Sequence, residues 1–471
     1  MERGASWAEV LAQGRAPRFA LICLGVWLNA ADSLVTATVM PSVGRSLGGY
    51  AYFGWATAVY LLGSVLAGAS SGLLARKFGL RTATFSAACL YAIGCAISAG
   101  GPNIASFLIG RVLQGVGGGW VVGFSSVAIG LLFPNRTLPR VYAATTSIWG
   151  VASLLGPLVG GVFAGAGLWR WAFWSFAGQG VAMAGAAAML LPKGESVTRE
   201  SPMAWSQLAL IALGVAAIGL ADVASGLRSS GALTVVGAGL LLVMVWYDER
   251  AVVRLLPRGA GNLATAVGAG YAAQFLMTAA SMGYSIYGPA LLQTLAGLGP
   301  LAAGYVTAIE AAAWTGAGLA VSGLAGAWPG RMIRLGSLLA LAGVVASGLV
   351  FPRGNVGAIA AAGVLLGAGF GLSWAFISQR ILVSLLAGER TLGAAGITTV
   401  RLTGSAAGAA VAAAAANLAG VSHRLTATTA RTAGLWVFVV AIPIAAAAVG
   451  AAWRLGGADS AGDRANGPMG A

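Results

Sequence analysis

The chain has 471 residues, of which 58% are hydrophobic and only 8% charged, with a mean hydropathy of +0.85. That is too little polar surface to cover a soluble globule of this length, so the composition excludes a cytosolic domain and points to a polytopic membrane protein. The formal net charge of +15 does not argue for nucleic acid, because the basic residues fall in ones to threes between apolar segments and build no patch.

Residues 1–17 read as a weakly amphipathic tail. The first span is expected from Arg18 to Ser42, too long for a signal sequence and followed by many more spans. Further apolar stretches, each near the ~20 residues that cross a hydrocarbon core, begin near residues 51, 82, 104, 141 and 168 and complete an N-terminal six-helix bundle over 18–192. A polar linker from Lys193, two compact spans at about 204–225 and 230–247 and the basic stretch DERAVVRLLPR fill 193–258. Six more spans begin near 263, 300, 331, 356, 391 and 431 and make a C-terminal bundle over 259–454. Residues 455–471, rich in Gly, Ala and Asp, read as a disordered tail. The predicted fold is all-α, with fourteen transmembrane helices.

Charge supports this layout. With a cytoplasmic N-terminus, nineteen of the 27 basic residues lie on the cytoplasmic side and six opposite, while Arg111 and Arg401 fall within spans. That asymmetry places both termini in the cytoplasm. VLQGVGGG from Val112 is echoed by VLLGAGFG from Val364 at an offset of 252 residues, and Gly72 and Gly79 by Gly323 and Gly330 at an offset of 251. Two matches at equivalent topological positions predict a parallel pseudo-repeat of the two bundles, a transporter arrangement.

Several residues at bilayer depth call for a reason. Arg111, Gly115 and Gly119 share one helical face, where small residues admit a close neighbour. Gly156 and Gly160 repeat that spacing on the next span, and Pro157 removes a backbone donor there. Among twelve acidic residues, Asp32, Asp222 and Glu310 lie within predicted spans. A carboxylate at the bilayer centre costs roughly 2.5–3.5 kcal/mol on insertion scales and so has a partner or a function. Asp32 and Glu310 are candidates for a proton site or a contact to a substrate cation, against a structural hydrogen-bonding role, with Trp314 one turn from Glu310 as a stacking partner. Asp222, near a helix end, reads as structural. Asn29 and Thr36 share a face of the first span with Asp32, while Tyr271, Gln274, Thr278, Ser281 and Ser285 form a stripe that either lines a wet cavity or glues helices together. Cys23, Cys89 and Cys95 read as small buried hydrophobes and His423 as a loop residue, so neither a metal nor a cofactor is expected. No nucleophile, base and orienting group converge, which disfavours an enzyme. Only Lys77 and Lys193 are lysines, and neither closes a phosphate-binding loop, which disfavours a primary pump.

Together these motifs give the chain a family likeness. It resembles the major facilitator superfamily, in particular its fourteen-span drug/proton antiporter branch, over nearly its whole length. GLLARKFGLR from Gly72 is similar to the loop after the family's second span, with Gly72, Gly79 and Arg81 in place, but it carries Arg76 where an aspartate is usual. Arg111, Gln114, Gly115 and Gly117 match the fourth-span motif, and Gly150, Gly156, Pro157, Gly160 and Gly161 match the fifth-span antiporter motif. Asp32 and Pro41 match the ends of a first-span motif. The resemblance implies that Arg111 takes part in proton transfer by biasing a neighbouring carboxylate, and that the glycines and Pro157 serve helix packing and gating. It implies proton-coupled export of small amphipathic compounds across the bacterial cytoplasmic membrane by a monomer in contact with small-molecule substrate, protons and lipid, with antibiotic resistance as one consequence. Two other readings keep the fold: a narrow transporter of one metabolite, antibiotic or siderophore, and a non-transporting membrane scaffold.

Overall fold

A computed structural model describes residues 7–134, 137–192, 203–223, 227–324, 326 and 328–465. The polar linker from Lys193 and the last six residues lie outside the described residues. Everything assigned is helical: α1 Trp7–Leu11, α2 Ala16–Leu47, α3 Phe53–Phe78, α4 Leu80–Gly100, α5 Ile104–Leu132, α6 Leu138–Gly165, α7 Trp169–Leu190, α8 Trp205–Val223, α9 Leu227–Arg250, α10 Ala266–Leu295, α11 Pro300–Val321, α12 Trp328–Val350, α13 Val356–Val383, α14 Arg390–Leu418, α15 Ala427–Val439 and α16 Ala441–Ala465, with three short 3-10 turns between them. Among the described residues ten helical segments are long and apolar enough to cross a membrane. Helices suit that environment because each satisfies its own backbone hydrogen bonds where no water is present.

Local chemistry fixes the helix ends. Asn103 caps α5 by accepting from the Ser106 N–H at 2.9 Å, and Asn355 caps α13 by accepting from the Ala358 N–H at 3.0 Å. Gly79, at φ +77°, makes the tight reversal that separates α3 from α4, a conformation open to glycine. Two expectations for the C-terminus change. The final predicted span is broken at Val440, because Pro443 has no N–H to bond the Val439 carbonyl. The helix that follows runs on to Ala465, past the predicted start of the disordered tail, and no proline intervenes before Pro468.

The chain divides into two compact units. The first comprises residues 1–49, 59–203 and 299–305. In it α5 is packed by glycine on two faces. A Cβ on Gly115 would lie 2.2 Å from the Tyr60 carbonyl oxygen and one on Gly119 2.6 Å from the Ser64 carbonyl oxygen, both on α3, while one on Gly117 would lie 2.5 Å from the Tyr91 nitrogen on α4. Backbones this close leave no room for any side chain, which is how a membrane helix gains contact where lipid offers no hydrophobic driving force. On α6, Gly156 faces Leu34 and Gly160 faces Thr38 of α2, Gly161 faces Leu301, and Pro157 lies against Gly304 at the start of α11.

The second unit comprises residues 50–58, 204–298 and 306–471. Its α13 is glycine-packed as well: Gly367 faces the Glu310 carbonyl and Gly371 the Trp314 carbonyl on α11, and Gly369 faces Ala340 on α12. The basic stretch after α9 is ordered by acidic groups. Asp248 accepts from the Leu255 and Leu256 N–H groups at 2.6 and 2.9 Å, and Arg254 pairs with Glu389 at 2.9 Å.

Candidate functional site

The first unit places Asp32 and Arg111 against each other. The Arg111 Nη1 donates to Asp32 Oδ1 at 2.8 Å and to Oδ2 at 3.0 Å, and the two side chains are 0% and 1% exposed. The pair is built by close approach. Gly115 and Gly119 bring α5 onto α3, Gly94 and Gly110 bring α4 and α5 together, and the arginine emerges beside α2, where Asp32 stands. Thr36, one turn along α2, donates to Asp32 Oδ1 at 3.1 Å. Gln114 accepts from Arg111 through its oxygen and donates through its nitrogen to Ser98 Oγ at 2.8 Å. The guanidinium carbon of Arg111 sits 4.4 Å from the centroid of the Tyr60 ring, and the Tyr60 hydroxyl accepts from Asn29 at 2.8 Å. Tyr91 is fully buried nearby.

Such a pair is chemically poised. Two charges removed from water are tolerated only when each compensates the other and their remaining donors and acceptors are engaged. A proton added to Asp32 would leave the Arg111 cation buried without the carboxylate's charge, a state the surroundings must rearrange to accommodate. Asn29 and Thr36 thus stand with Asp32 on α2, Arg111 of α5 meets the carboxylate, and Tyr60, Ser98 and Tyr91, which are not among the residues expected from the sequence, complete the surroundings. An amphipathic tyrosine within an apolar span is the signal that marks Tyr60 and Tyr91.

The second carboxylate lies in the second unit and in different company. Glu310 is half-buried on α11, and Ser285 of α10 donates to its Oε2 at 3.1 Å. One turn on, Trp314 stacks on Phe370 with centroids 4.8 Å apart and lies 5.7 Å from Trp374. The rest of the α10 stripe turns to packing. Tyr271, 3% exposed, donates to the Gly393 carbonyl at 2.8 Å, Gln274, 0% exposed, donates to Ser378 at 2.8 Å, and Thr278, 4% exposed, donates to backbone carbonyls of its own helix. Tyr271 and Gln274 thus reach α14 and α13, Thr278 bonds within α10, and among the described residues Ser285 is the member of the stripe that bonds the carboxylate.

The remaining predicted residues divide by space. Gly156, Pro157, Gly160 and Gly161 are at close contacts, whereas a Cβ at Gly72 or Gly150 would meet nothing within 4 Å. Arg81 ties the start of α4 to the end of α7 by donating to the Leu191 carbonyl at 2.7 Å. Arg76 stands in the last turn of α3, where a cation complements the helix dipole. The side chain of Asp222 lies outside the described residues.

Known proteins are similar to this chain in sequence and in architecture. Residues 22–409 match the Major Facilitator Superfamily. A "Probable multidrug-efflux transporter" of Mycobacterium tuberculosis is 31% identical over 440 residues, covering 88% of this chain and 90% of that protein. Two solved structures superpose along most of their length: a peptide transporter in complex with sulfate, at a TM-score of 0.66 and 14% identity over 93% of this chain and 95% of that one, and a D-xylose–proton symporter, at 0.61 and 16% over 90% and 97%. At such identities the structures speak for the fold alone, whereas the family match spans most of the chain. With its long apolar helices, the chain belongs to the major facilitator superfamily and is a multi-pass bacterial membrane transporter, not an enzyme.

Proposed function

We propose that this transporter exports small amphipathic compounds, drugs among them, across the cytoplasmic membrane in exchange for protons. It does so as a monomer with fourteen transmembrane helices and both termini in the cytoplasm. The observation that carries the coupling is the buried Asp32–Arg111 pair, with both carboxylate oxygens of Asp32 on one guanidinium nitrogen. Breaking one side of a buried pair costs about 3–5 kcal/mol. Moving a two-state equilibrium from 1:99 to 99:1 takes about 5.5 kcal/mol of differential affinity. One proton on Asp32 is therefore of the right size to tip the protein toward a conformation in which Arg111 finds water or another partner. Arg111 stays charged and acts by holding or releasing the carboxylate.

Glu310 and Trp314 fit the substrate side. A half-buried carboxylate beside an indole stacked on Phe370 offers charge and a flat π-face to an amphipathic cation. Asn29 and Thr36 hold the Asp32 environment. The glycine contacts of the two units are supporting evidence for a parallel repeat: Gly115 and Gly119 face Tyr60 and Ser64, Gly367 and Gly371 face Glu310 and Trp314, and the contacted residues are 250 positions apart, close to the 252 that separate the glycines. Gly156, Gly160 and Gly161, with Pro157 as the hinge, provide the sliding surface of α6.

The export reading is tested in everted membrane vesicles energised to be acidic inside. Accumulation of a fluorescent lipophilic cation that collapses on adding a protonophore supports it. Accumulation indifferent to the protonophore removes proton coupling. Competition by chemically unrelated compounds separates a broad exporter from a carrier of one metabolite.

A further inference from the structure

A groove of about 620 Å³ runs between α4 and α7 and carries no charged side chain. Ile93, Trp171, Trp174 and Val181 form its exposed walls, and small residues such as Ala96 and Gly178 leave the space between them. A Cβ at Gly178 would meet nothing within 4 Å, so the groove is open room and not a packing seam. One end of it is marked by a cation. Trp174 approaches Gly100 at the end of α4, and Arg170, one turn before Trp174, donates to the Gly101 carbonyl at 2.9 Å. Its guanidinium carbon lies 4.4 Å from the Trp169 ring centroid.

That hydrogen bond uses one of the five N–H donors of Arg170. No carboxylate is available from the bundle to engage the others, because the chain has no Asp or Glu between Asp32 and Glu195. Arg45, in the last turn of α2, adds a second cation at the same end of the unit, where Gly49 abuts Ile104 at the start of α5. An anionic partner for Arg170 would therefore come from outside the bundle. Paired tryptophans characteristically mark headgroup depth, and a guanidinium matches the oxygens of a phosphodiester. We infer that the α4–α7 groove binds one anionic phospholipid, with an acyl chain along Ile93, Ala96, Gly178 and Val181 and the phosphate on Arg170. Charge complementarity selects this occupant over a neutral amphiphile or an organic cation.

Native mass spectrometry of the full chain, titrated with phosphatidylglycerol, phosphatidylcholine or diacylglycerol, tests the assignment. Wild type is expected to retain one phosphatidylglycerol in preference to the other two. Arg170→Gln is expected to weaken phosphatidylglycerol about fivefold, the effect of one basic residue near an anionic headgroup, and to leave phosphatidylcholine unchanged. Arg170→Lys keeps the charge and should keep the preference, so it separates loss of charge from loss of the Gly101 tie. Gly178→Phe fills the groove where no atom stands and should remove the retained lipid without lowering thermal stability. Equal retention of phosphatidylglycerol and phosphatidylcholine, or an unchanged phosphatidylglycerol affinity in Arg170→Gln, would mean annular lipid only and overturn the site. So would a lipophilic cation whose binding is lost in Gly178→Phe and indifferent to Arg170→Gln.

Discussion

Asp32 and Glu310 are both carboxylates within apolar helices, but the two units treat them differently. Asp32 is fully buried and paired with Arg111, while Thr36 donates to the carboxylate and Gln114 accepts from the guanidinium and donates to Ser98. Glu310 is half-buried, has Ser285 as its hydrogen-bond partner and stands beside the Trp314–Phe370 stack. A locked pair changes state only when a proton or a rearrangement breaks it, whereas a partly open carboxylate exchanges partners without disturbing its helix. The proposed function gives coupling to the first unit and cation recognition to the second, and that proposal can be broken at several points.

The largest effect is expected at the locked pair. Asp32→Asn leaves Arg111 buried and uncompensated, so it should cost about 3–5 kcal/mol of stability and abolish coupled transport, read by thermal unfolding and vesicle uptake together. In the double variant with Arg111→Gln, stability should largely return while transport does not. If stability fails to return, the pair is not the unit described.

Helix approach comes next. Gly115→Ala would put a methyl 2.2 Å from the Tyr60 carbonyl oxygen, and Gly371→Ala one 2.3 Å from the Trp314 carbonyl oxygen. Each should destabilise by about 1–3 kcal/mol, as overpacking does. Gly150→Ala, with no neighbour, should stay within about 0.5 kcal/mol of wild type. Thr36→Val removes one hydrogen bond to Asp32 and should cost about 1 kcal/mol. The smallest change in stability belongs to Glu310→Gln, which keeps a polar group for Ser285. Its unfolding should match wild type while transport of a lipophilic cation falls and transport of a neutral compound does not.

Much of this architecture is legible in the sequence because hydrocarbon thickness sets span length. Glycine-containing breaks at residues 48–52, 101–103 and 166–168 mark helix ends within a few positions. Asp32 and Arg111 stand out individually as charges in apolar runs, but their meeting is not readable, because they lie 79 residues apart and nothing in one helix's periodicity sets its rotation against another. The α10 stripe shows the converse limit. Periodicity places Tyr271, Gln274 and Thr278 near one face, and only the packing of α13 and α14 decides whether that face meets water or protein. Asp248 and the Arg254–Glu389 pair are concealed by a stretch that reads as a simple basic linker, since their partners are backbone N–H groups and a residue 135 positions away.

The most direct test of the central claim is proton movement in proteoliposomes loaded with a pH-sensitive dye and challenged with a lipophilic cation and a neutral amphipathic drug. Wild type, Asp32→Asn and Glu310→Gln would be run side by side. The account predicts proton movement with both compounds in wild type, none with either in Asp32→Asn, and movement with the neutral compound alone in Glu310→Gln. Proton movement that survives Asp32→Asn with both compounds would contradict it.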